Sequence, residues 1–426
     1  MRTFYKLSIH FILMAAATLS SGTAGAADQP TSACSTIASA RDLLRCALER
    51  HPIIQQAMIG NQRASNAEGK ASAFSNPEIS TKTTYGKSLG DHLWTFEGSV
   101  DQKLEIGGKR SSRMEMARAE AERGTASLQE AREKAFLEIV HTLNRHRQIH
   151  EELEIIDEAI SAFQRVQSLY KNRGRLSAEQ EVSSEIFSLA LGQHRLRRSK
   201  LISEKEGIKK RLTFILGQDL PVDEAYLPAF RKEWPELPDS SNDSFESSTI
   251  KLAKSDLKSA EAEWNAARAE SWPDLTVGPV FQWDREGASD VYRYGFNLSL
   301  PLPLWNLNRS GRAYAEQGKN LAVADLEITR KMERTERAQL LEEYRSVTSI
   351  IGSLVNLKDL EKKHSRVERL FEQGLVSTSL YIEAHRQIQE YLATRNEEEH
   401  EATDALWKIY AIDGRMFEEA LWTPTF

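Results

Sequence analysis

Two hydrophobic patterns alternate along the chain, one helical and one strand-like. The helical pattern covers residues 111–170 and again 313–371, where proline is absent, glycine is rare, and alanine, glutamate, arginine and leucine dominate. A helix of about 60 residues is about 90 Å long. Because a single globular domain rarely contains helices of that length, the pattern predicts helices that extend well beyond one compact core.

Each long helical stretch is followed by a glycine and then by a second helical stretch. Gly174 separates the first pair and Gly374 the second, and glycine at a helix end permits the left-handed backbone that ends a helix. The pattern therefore predicts two antiparallel helical hairpins, at about 110–217 and about 310–413. The second hairpin also shows the 3-4 spacing of a coiled-coil seam. The seam positions are Leu340, Tyr344, Val347, Ile351, Leu354, Leu357 and Leu360.

The strand-like pattern alternates apolar and polar residues in four segments, at about 77–86, 92–105, 273–285 and 290–301. Each segment is close to the length of about 9–11 residues with which a tilted strand crosses a bilayer. A half-buried soluble sheet shows the same alternation, but aromatic residues near the strand ends favour a membrane barrel. The apolar positions that we expect to face lipid are Trp94, Phe96, Val100, Phe281, Trp283, Tyr292, Tyr294 and Phe296.

The polar positions of the strands carry both signs of charge. This mixture predicts an inner barrel surface that selects by width more than by chemistry. Because four strands cannot close a barrel and lipid excludes open sheet edges, the membrane interpretation requires several chains. The polar positions include Lys82, Glu97, Asp101, Asp274 and Arg293.

The chain contains an internal duplication. Asn76-Pro77 recurs as Trp272-Pro273, and Gly174 recurs as Gly374, each about 200 residues further on. Several matches in the same order at one offset indicate a duplicated unit of strand pair and helical hairpin. We expect a first repeat at 27–217, a linker or small packed segment at 218–247, a second repeat at 248–414 and a C-terminal tail at 415–426.

Composition excludes several classes of protein. The chain has 426 residues, is 40% hydrophobic and carries a net charge of -6, with a mean hydropathy of -0.50. It is therefore neither disordered nor a polytopic helical membrane protein, and nucleic acid is not an expected partner. No nucleophile–base set, phosphate loop or metal motif stands out, so we expect no enzyme activity, no cofactor and no metal site.

The N-terminus indicates export. Arg2 and Lys6 precede an apolar run, and Ala24-Gly25-Ala26 has the pattern of a signal peptidase site, so residues 1–26 are predicted to be a signal peptide. In an oxidising periplasm Cys34 and Cys46 would form a disulfide. Two unpaired thiols, or lipid attachment to Cys34, are the alternatives, and the disulfide is favoured.

The ordered set of features resembles the TolC-type outer-membrane efflux proteins over nearly the whole mature chain. The shared features are the duplicated unit, the proline at each strand start, the long hairpins with glycine tips, and a bend before each hairpin. The bends read Gly-Gly-Lys-Arg at 107–110 and Asn-Leu-Asn-Arg at 306–309. Segments 278–279, 290–295 and 301–306 are similar to the branch that serves cobalt-zinc-cadmium efflux.

The resemblance implies an α+β membrane protein. Members are homotrimers in which four strands from each chain close a twelve-stranded β-barrel in outer-membrane lipid, and the helices continue it as an α-helical barrel through the periplasm. The implied partners are a periplasmic adaptor (membrane fusion) protein and an inner-membrane pump of the resistance-nodulation-division (RND) type. The protein itself would be a channel without covalent chemistry.

The resemblance also implies working residues at the hairpin tips. Family tips dock the adaptor, and acidic residues beyond the second tip narrow the periplasmic gate. Glu383 has the matching gate position, although Leu380 stands where a second acid is common; close packing of three Glu383 copies would raise their pKa values. The matching docking positions are Arg173, Gly174, Arg175, Leu176, Ser177, Gln373, Gly374, Leu375, Val376 and Ser377.

His146 and His150 have the i,i+4 spacing of metal ligands on a helix. We expect this pair to lie on a solvated face and to bind no metal, because a duct that held its cargo tightly would release it slowly. The function predicted from the sequence is an efflux duct for divalent heavy-metal cations. Two alternatives stay open: a drug-efflux or type I secretion duct, and a periplasmic coiled-coil scaffold without a barrel.

Overall fold

The computed structural model describes most of the chain beyond the predicted signal peptide. Residues 1–26 and Arg173 lie outside the described residues. The described residues are 34, 37, 39–88, 91–172, 174–217, 226–231, 233–239, 246–355 and 357–422.

The first repeat consists of two short helices, a strand pair and a long helical hairpin. The hairpin begins with an uninterrupted helix of 63 residues. Neither short helix follows from the patterns analysed above. The elements are α1 (Ala40–Arg50), α2 (Pro52–Ser72), β1 (Glu78–Ser88), β2 (Asp91–Leu104), α3 (Lys109–Lys171) and α4 (Ala178–Leu216).

The second repeat has the same order, with one helix before its strand pair. That helix packs against α3 of the first repeat and against the helix that follows the strand pair of its own repeat. The described chain ends with a single further turn of helix. The elements are α5 (Ser248–Ala269), β3 (Leu275–Glu286), β4 (Ser289–Ser299), α6 (Arg309–Ile351), α7 (Leu357–Glu372), α8 (Thr378–Ile412) and α9 (Glu419–Trp422).

The prediction of one continuous helix over 313–371 is wrong, because α6 ends at Ile351 and α7 begins at Leu357. Glycine at position 352 has low helix propensity, and the Ser353 hydroxyl donates to the carbonyl of Ile350 at 2.7 Å in competition with the helix ladder. The hydroxyl of Tyr391 on α8 accepts from the Val355 amide at 2.7 Å. The coiled-coil seam is therefore interrupted between α6 and α7.

The strands of both repeats form one antiparallel sheet in the order β1-β2-β3-β4. The central pair, β2 with β3, joins the two repeats. In the described chain, β1 and β4 lie at the two edges of the sheet.

Matching bends connect the sheet to the hairpins. Gly108, with φ of 87°, precedes α3, and Asn308, with φ of 51°, precedes α6. Both residues therefore adopt the left-handed conformation that glycine and asparagine tolerate best. At Gly107 a Cβ atom would lie 2.5 Å from the Cβ of Trp272, so this bend also needs glycine for space.

The largest apolar core lies where α1, α3, α4, α6 and α8 meet. Trp407 is fully buried there, with its ring centre 4.5 Å from that of Phe136. A disulfide joins Cys34 to Cys46 on α1, whose Cα atoms are 4.9 Å apart, and both cysteines belong to this core. The structure thus has the disulfide rather than the unpaired thiols or the lipid-modified Cys34.

The segment between the repeats is packed where the structure describes it. Leu237 is buried in the main core, and the Tyr344 hydroxyl donates to the carbonyl of Pro235 at 2.7 Å. Residues 233–239 therefore form a loop held against α6 and not a free linker. No helix in the described part of the chain carries an apolar stretch long enough to cross a bilayer.

Candidate channel surfaces

The strand register places the apolar positions on one face of the sheet. Phe96 pairs with Trp283, and Trp283 pairs in turn with Tyr292, so the three side chains lie side by side across β2, β3 and β4. Side chains alternate between faces along each strand, and directly paired residues share a face. All eight positions expected to face lipid therefore share one face: Trp94, Phe96, Val100, Phe281, Trp283, Tyr292, Tyr294 and Phe296.

This apolar face is exposed in the single chain. Tyr294 is 82% exposed and Phe296 is 69% exposed, although both are large apolar side chains. A continuous aromatic face of this kind is uncommon on a soluble protein and marks a surface that meets lipid or another chain. Contact with lipid is the role that we propose below.

The opposite face of the sheet is polar with mixed charge. Lys82, Glu97, Gln282 and Arg293 form one row across the four strands. Asp274 does not belong to this face, because it precedes β3. Its carboxylate instead accepts from Lys103 at 2.9 Å and from Lys109 at 2.6 Å, where the sheet meets the start of α3.

The first hairpin tip, between α3 and α4, is built by a helix cap. The Ser177 hydroxyl accepts from the Gln180 amide at 3.3 Å, and the Gln180 side chain accepts from the Ser177 amide at 3.1 Å. Gly174 and Arg175 are exposed. Gly174 does not have the positive φ that its position at a helix end suggested.

The second tip, between α7 and α8, does use the left-handed conformation. Gly374 has a φ of 72°, its amide donates to Phe371 at 2.9 Å, and the Leu375 amide donates to Leu370 at 3.0 Å. These two bonds form a Schellman motif. Ser377 then caps α8 by accepting from Leu380 at 3.3 Å. The Leu375 backbone is held by this motif, but its side chain is 71% exposed at the point of the turn.

Glu383 lies in the second turn of α8, beside the tip, and is held by its own helix. Its carboxylate accepts from Arg386 at 2.6 and 2.9 Å and from Gln387 at 2.8 Å. Arg386, and then Gln387, lower the pKa of Glu383 to about 2. The predicted rise in this pKa depends on close packing of three copies and stays a prediction. Within one chain the carboxylate forms an ion pair with Arg386, which the sequence analysis did not single out.

His146 and His150 do not share a solvated face as expected. His146 is buried, and His150 is half-buried with its Nε2 atom 3.3 Å from Glu154. Within the described residues this pair does not converge with a third metal-ligating side chain. A different histidine pair, His364 and His385, does so, because α7 and α8 bring together residues that are distant in sequence.

A family model described as "Outer membrane efflux protein" matches residues 43–175 and 246–415, which together make up more than half of the chain. The chain therefore belongs to the outer membrane efflux protein family. The two matched segments fall on the two structural repeats, and the unmatched residues between them include the segment that connects the repeats. No curated protein matches the chain.

Solved structures of outer-membrane channels share this fold. The CmeC outer membrane channel of Campylobacter jejuni has 14% identity and a TM-score of 0.70, over 89% of this chain and 86% of that chain. CusC has 16% identity and a TM-score of 0.70, over 88% and 92%. The outer membrane protein VceC of Vibrio cholerae has 15% identity and a TM-score of 0.67, over 89% and 97%.

The family and the fold confirm the fold class expected above. The chain is an outer-membrane efflux channel protein with a periplasmic helical extension, and it is not an enzyme. The family match covers outer membrane efflux proteins in general and does not distinguish the heavy-metal branch from the others.

Proposed function

We propose that the chain is one of three copies that form the outer-membrane duct of a tripartite RND-type efflux system. In this proposal the duct receives divalent heavy-metal cations from a periplasmic adaptor and an inner-membrane pump. The apolar face of the sheet meets outer-membrane lipid, and the mixed-charge face lines the pore.

One observation carries the duct: the sheet has an exposed aromatic face, a polar face and two open edges. Within lipid each unpaired backbone group costs several kcal/mol. Edges at β1 and β4 are therefore compatible with membrane insertion only if another copy pairs with each of them. Three chains of four strands close such a barrel.

The helices offer a second surface for contact between copies. An apolar stripe with spacings of three, four and seven residues runs along the outer face of α4. It is exposed in the single chain, and a neighbouring helix of another copy would cover it. The stripe consists of Val182, Ile186, Leu189 and Leu196.

The tips are the proposed docking sites for the adaptor. Both are exposed turns closed by hydrogen bonds, and each leaves a side chain accessible to a partner, Arg175 at the first tip and Leu375 at the second. Glu383 stands beside the second tip and is the proposed gate residue. Because Arg386 neutralises it, the gate would be a ring of ion pairs and not a ring of bare carboxylates.

The metal cargo is supported by sequence alone. Segments 278–279, 290–295 and 301–306 resemble the metal-exporting branch of the family. The first two of these lie in β3 and β4, on the second half of the proposed barrel.

Growth inhibition of a deletion strain tests the cargo. The strain is complemented with the wild-type gene, with a Glu383→Gln variant or with an empty vector, and is exposed to cobalt, zinc, cadmium, nickel, copper and a panel of drugs. We expect selective sensitivity to divalent metals that the wild-type gene reverses. Sensitivity to drugs alone would overturn the metal cargo and leave the duct in place.

Fractionation tests the duct separately. We expect the protein in the outer membrane, extractable only with detergent and as a trimer that resists mild denaturation. Deletion of residues 93–104, which removes most of β2, should abolish insertion. Recovery of the wild-type protein in the soluble periplasmic fraction would indicate the scaffold instead.

A further inference from the structure

Two buried histidines face each other between the helices of the second hairpin. His364 lies on α7 and His385 on α8, and the two residues are 4% and 2% exposed. Their Nε2 atoms are 2.9 Å apart. Two imidazoles that bind one tetrahedral ion at about 2.0–2.1 Å would have their nitrogens about 3.3 Å apart. The observed separation is therefore within a few tenths of an ångström of a metal-binding geometry.

The hydrogen bonds on the far side of each ring fix where the protons lie. His385 Nδ1 is 2.9 Å from the carbonyl oxygen of Tyr381, which can only accept, so Nδ1 carries the hydrogen. His364 Nδ1 is 3.3 Å from a carboxylate oxygen of Glu158, which favours a hydrogen on that nitrogen too. In the neutral rings both Nε2 atoms then present lone pairs to each other.

Facing lone pairs at this distance repel unless a cation lies between them. A proton on one ring would also separate the lone pairs, but burial lowers the pKa of His385 to about 4. A metal ion would serve equally and would use both lone pairs as ligands. Backbone carbonyls and carboxylates behind the Nδ1 atoms are the groups that commonly orient metal-binding histidines.

A carboxylate completes the set of donors. Glu368 lies one turn after His364 on α7, and donor atoms of His364, Glu368 and His385 all lie within 4.8 Å of one another. One oxygen of Glu368 is 3.4 Å from Nη2 of Arg165 on α3. A carboxylate can keep that contact through one oxygen and bind a metal through the other.

An acidic cleft gives access to the cluster from solvent. The cleft, of about 610 Å³, lies between α3 and α7 and is lined by His364 and Glu368. Its walls carry six carboxylates, and Arg165 is the basic residue among its lining residues, so it attracts cations toward the cluster. The six carboxylates are Glu151, Glu154, Asp157, Glu158, Glu361 and Glu368.

We propose that His364, Glu368 and His385 bind a divalent transition-metal ion of the zinc type. Two imidazoles and one carboxylate suit Zn²⁺, Co²⁺, Ni²⁺ or Cu²⁺ and leave a further position for water. The ion would join α7 to α8, with Glu368 about 6 Å before the end of α7 and His385 about 10 Å after the start of α8 along the helices. The site thus stiffens the hairpin that carries the second tip. It does not depend on the cargo proposed above.

Cobalt titration of the full-length trimer in detergent tests the site. The protein is prepared without a histidine tag and freed of metal, Co²⁺ is added while its visible ligand-field absorption is recorded, and Zn²⁺ is then added in competition. We expect one Co²⁺ per chain, displaced by Zn²⁺. His364→Gln, His385→Gln and Glu368→Gln each remove a ligand and should each weaken binding by at least about 10–100-fold, the loss typical when only an outer-shell partner is removed.

His150→Gln is the matched control, because His150 and Glu154 repeat the His-to-Glu spacing on α3 but belong to no group of three metal-ligating side chains among the described residues. It should leave binding unchanged. His364→Cys keeps a donor atom and should retain Zn²⁺ binding. If the variants of the buried residues His364 and His385 fail to assemble, the site is tested by the stoichiometry of the wild type and by Glu368→Gln, since Glu368 is partly exposed. Absence of ligand-field absorption in the wild type, or equal binding by wild type and Glu368→Gln, would overturn the site without affecting the metal-resistance test.

Discussion

At the scale of single residues, the glycines of the two hairpin tips differ in backbone conformation. Gly374 has a φ of 72° and closes a Schellman motif, whereas Gly174 lacks a positive φ. A Cβ at either position would meet no described atom within 4 Å, so only backbone conformation separates the two.

We therefore predict opposite effects of alanine at the two tips. Gly374→Ala should lower the free energy of unfolding by about 1–2 kcal/mol, because a side chain is strained in the left-handed region. Gly174→Ala should be neutral or raise it by up to about 1 kcal/mol, because alanine restricts the unfolded chain. Denaturant unfolding of the purified trimer measures the free energy of unfolding of both variants. Equal destabilisation would contradict the difference in backbone conformation between Gly374 and Gly174.

The charge of Glu383 is set by a neighbouring residue. Arg386 lowers the pKa of Glu383 to about 2, so the carboxylate stays ionised until the pH falls to that value. We predict that Arg386→Gln moves this pKa back toward about 4.3, the ordinary value for glutamate. In the wild type Glu383 stays ionised, so the cation selectivity of single channels should change little between pH 7 and 4. In the variant Glu383 takes up a proton as the pH falls from about 5 to 4, so cation selectivity should fall in that range.

Glu383→Gln is the control for that measurement, because it removes the titrating group and should show no step in this range. If wild type and Arg386→Gln have the same pH profile, Glu383 does not contribute to the field at the channel entrance.

At the scale of elements, close approach of β2 and β3 depends on one glycine. A Cβ atom on Gly278 would lie 2.1 Å from the carbonyl oxygen of Val100 and 2.8 Å from the Cα of Asp101. Both contacts are with backbone, which cannot rotate away. The pair β2–β3 also joins the two repeats, so strain here reaches the whole sheet.

We predict that Gly278→Ala sharply reduces the amount of trimer in the outer membrane. Gly295→Ala on the neighbouring strand β4 is the matched control, since a Cβ there would meet no atom of the described chain within 4 Å. Outer-membrane fractionation with unheated gel electrophoresis compares the two. Equal trimer yields would show that the strands separate more easily than the structure implies.

At the scale of the whole molecule, a buried ion pair ties three parts of the chain together. Arg337 on α6 donates to both oxygens of Asp413, just after α8, at 2.6 and 2.9 Å. It also donates to the carbonyls of Pro238 and Asp239 in the segment between the repeats. Both charged side chains are less than 10% exposed.

We predict that Arg337→Met destabilises the protein by about 3–5 kcal/mol, because it leaves the Asp413 carboxylate buried without its partner. Arg345 lies on the same helix, α6, and forms an exposed ion pair with Asp239. Arg345→Met should therefore lower the free energy of unfolding by about 1 kcal/mol or less. Urea unfolding of the detergent-solubilised protein measures the difference. Comparable midpoints would mean that water reaches Asp413.

Local rules predicted the regular parts of this fold with good accuracy. Alternation from Leu93 to Leu104 and from Tyr292 to Leu300 located β2 and β4, and the caps at Ser177 and Ser377 mark the starts of α4 and α8. The break at Gly352 was missed, because a residue of another helix stabilises it: the Tyr391 hydroxyl accepts from the Val355 amide, which has left the helix. The interruption depends on a tertiary contact that helix propensity does not contain.

The candidate channel surfaces also combine features that local sequence pattern predicts with features that depend on tertiary contacts. The apolar and polar faces of the sheet followed from alternation, because the strand period of two fixes which side chains share a face. Pairing β2 with β3 requires residues about 180 positions apart in sequence to meet, and this pairing aligns Phe96 with Trp283. Similarly, Arg386 was within reach of a helical i,i+3 argument, whereas the neighbours of His364 were not.

The sequence by itself determined the repeat, the type of each main element, the two faces of the sheet and the resemblance to outer-membrane efflux proteins. These properties depend on residues close together in the chain, or on a pattern repeated along it. Only the tertiary structure decided the division of α6 from α7 and the meeting of His364 with His385. Each of these depends on distances and burial between side chains, which are set only when the helices pack.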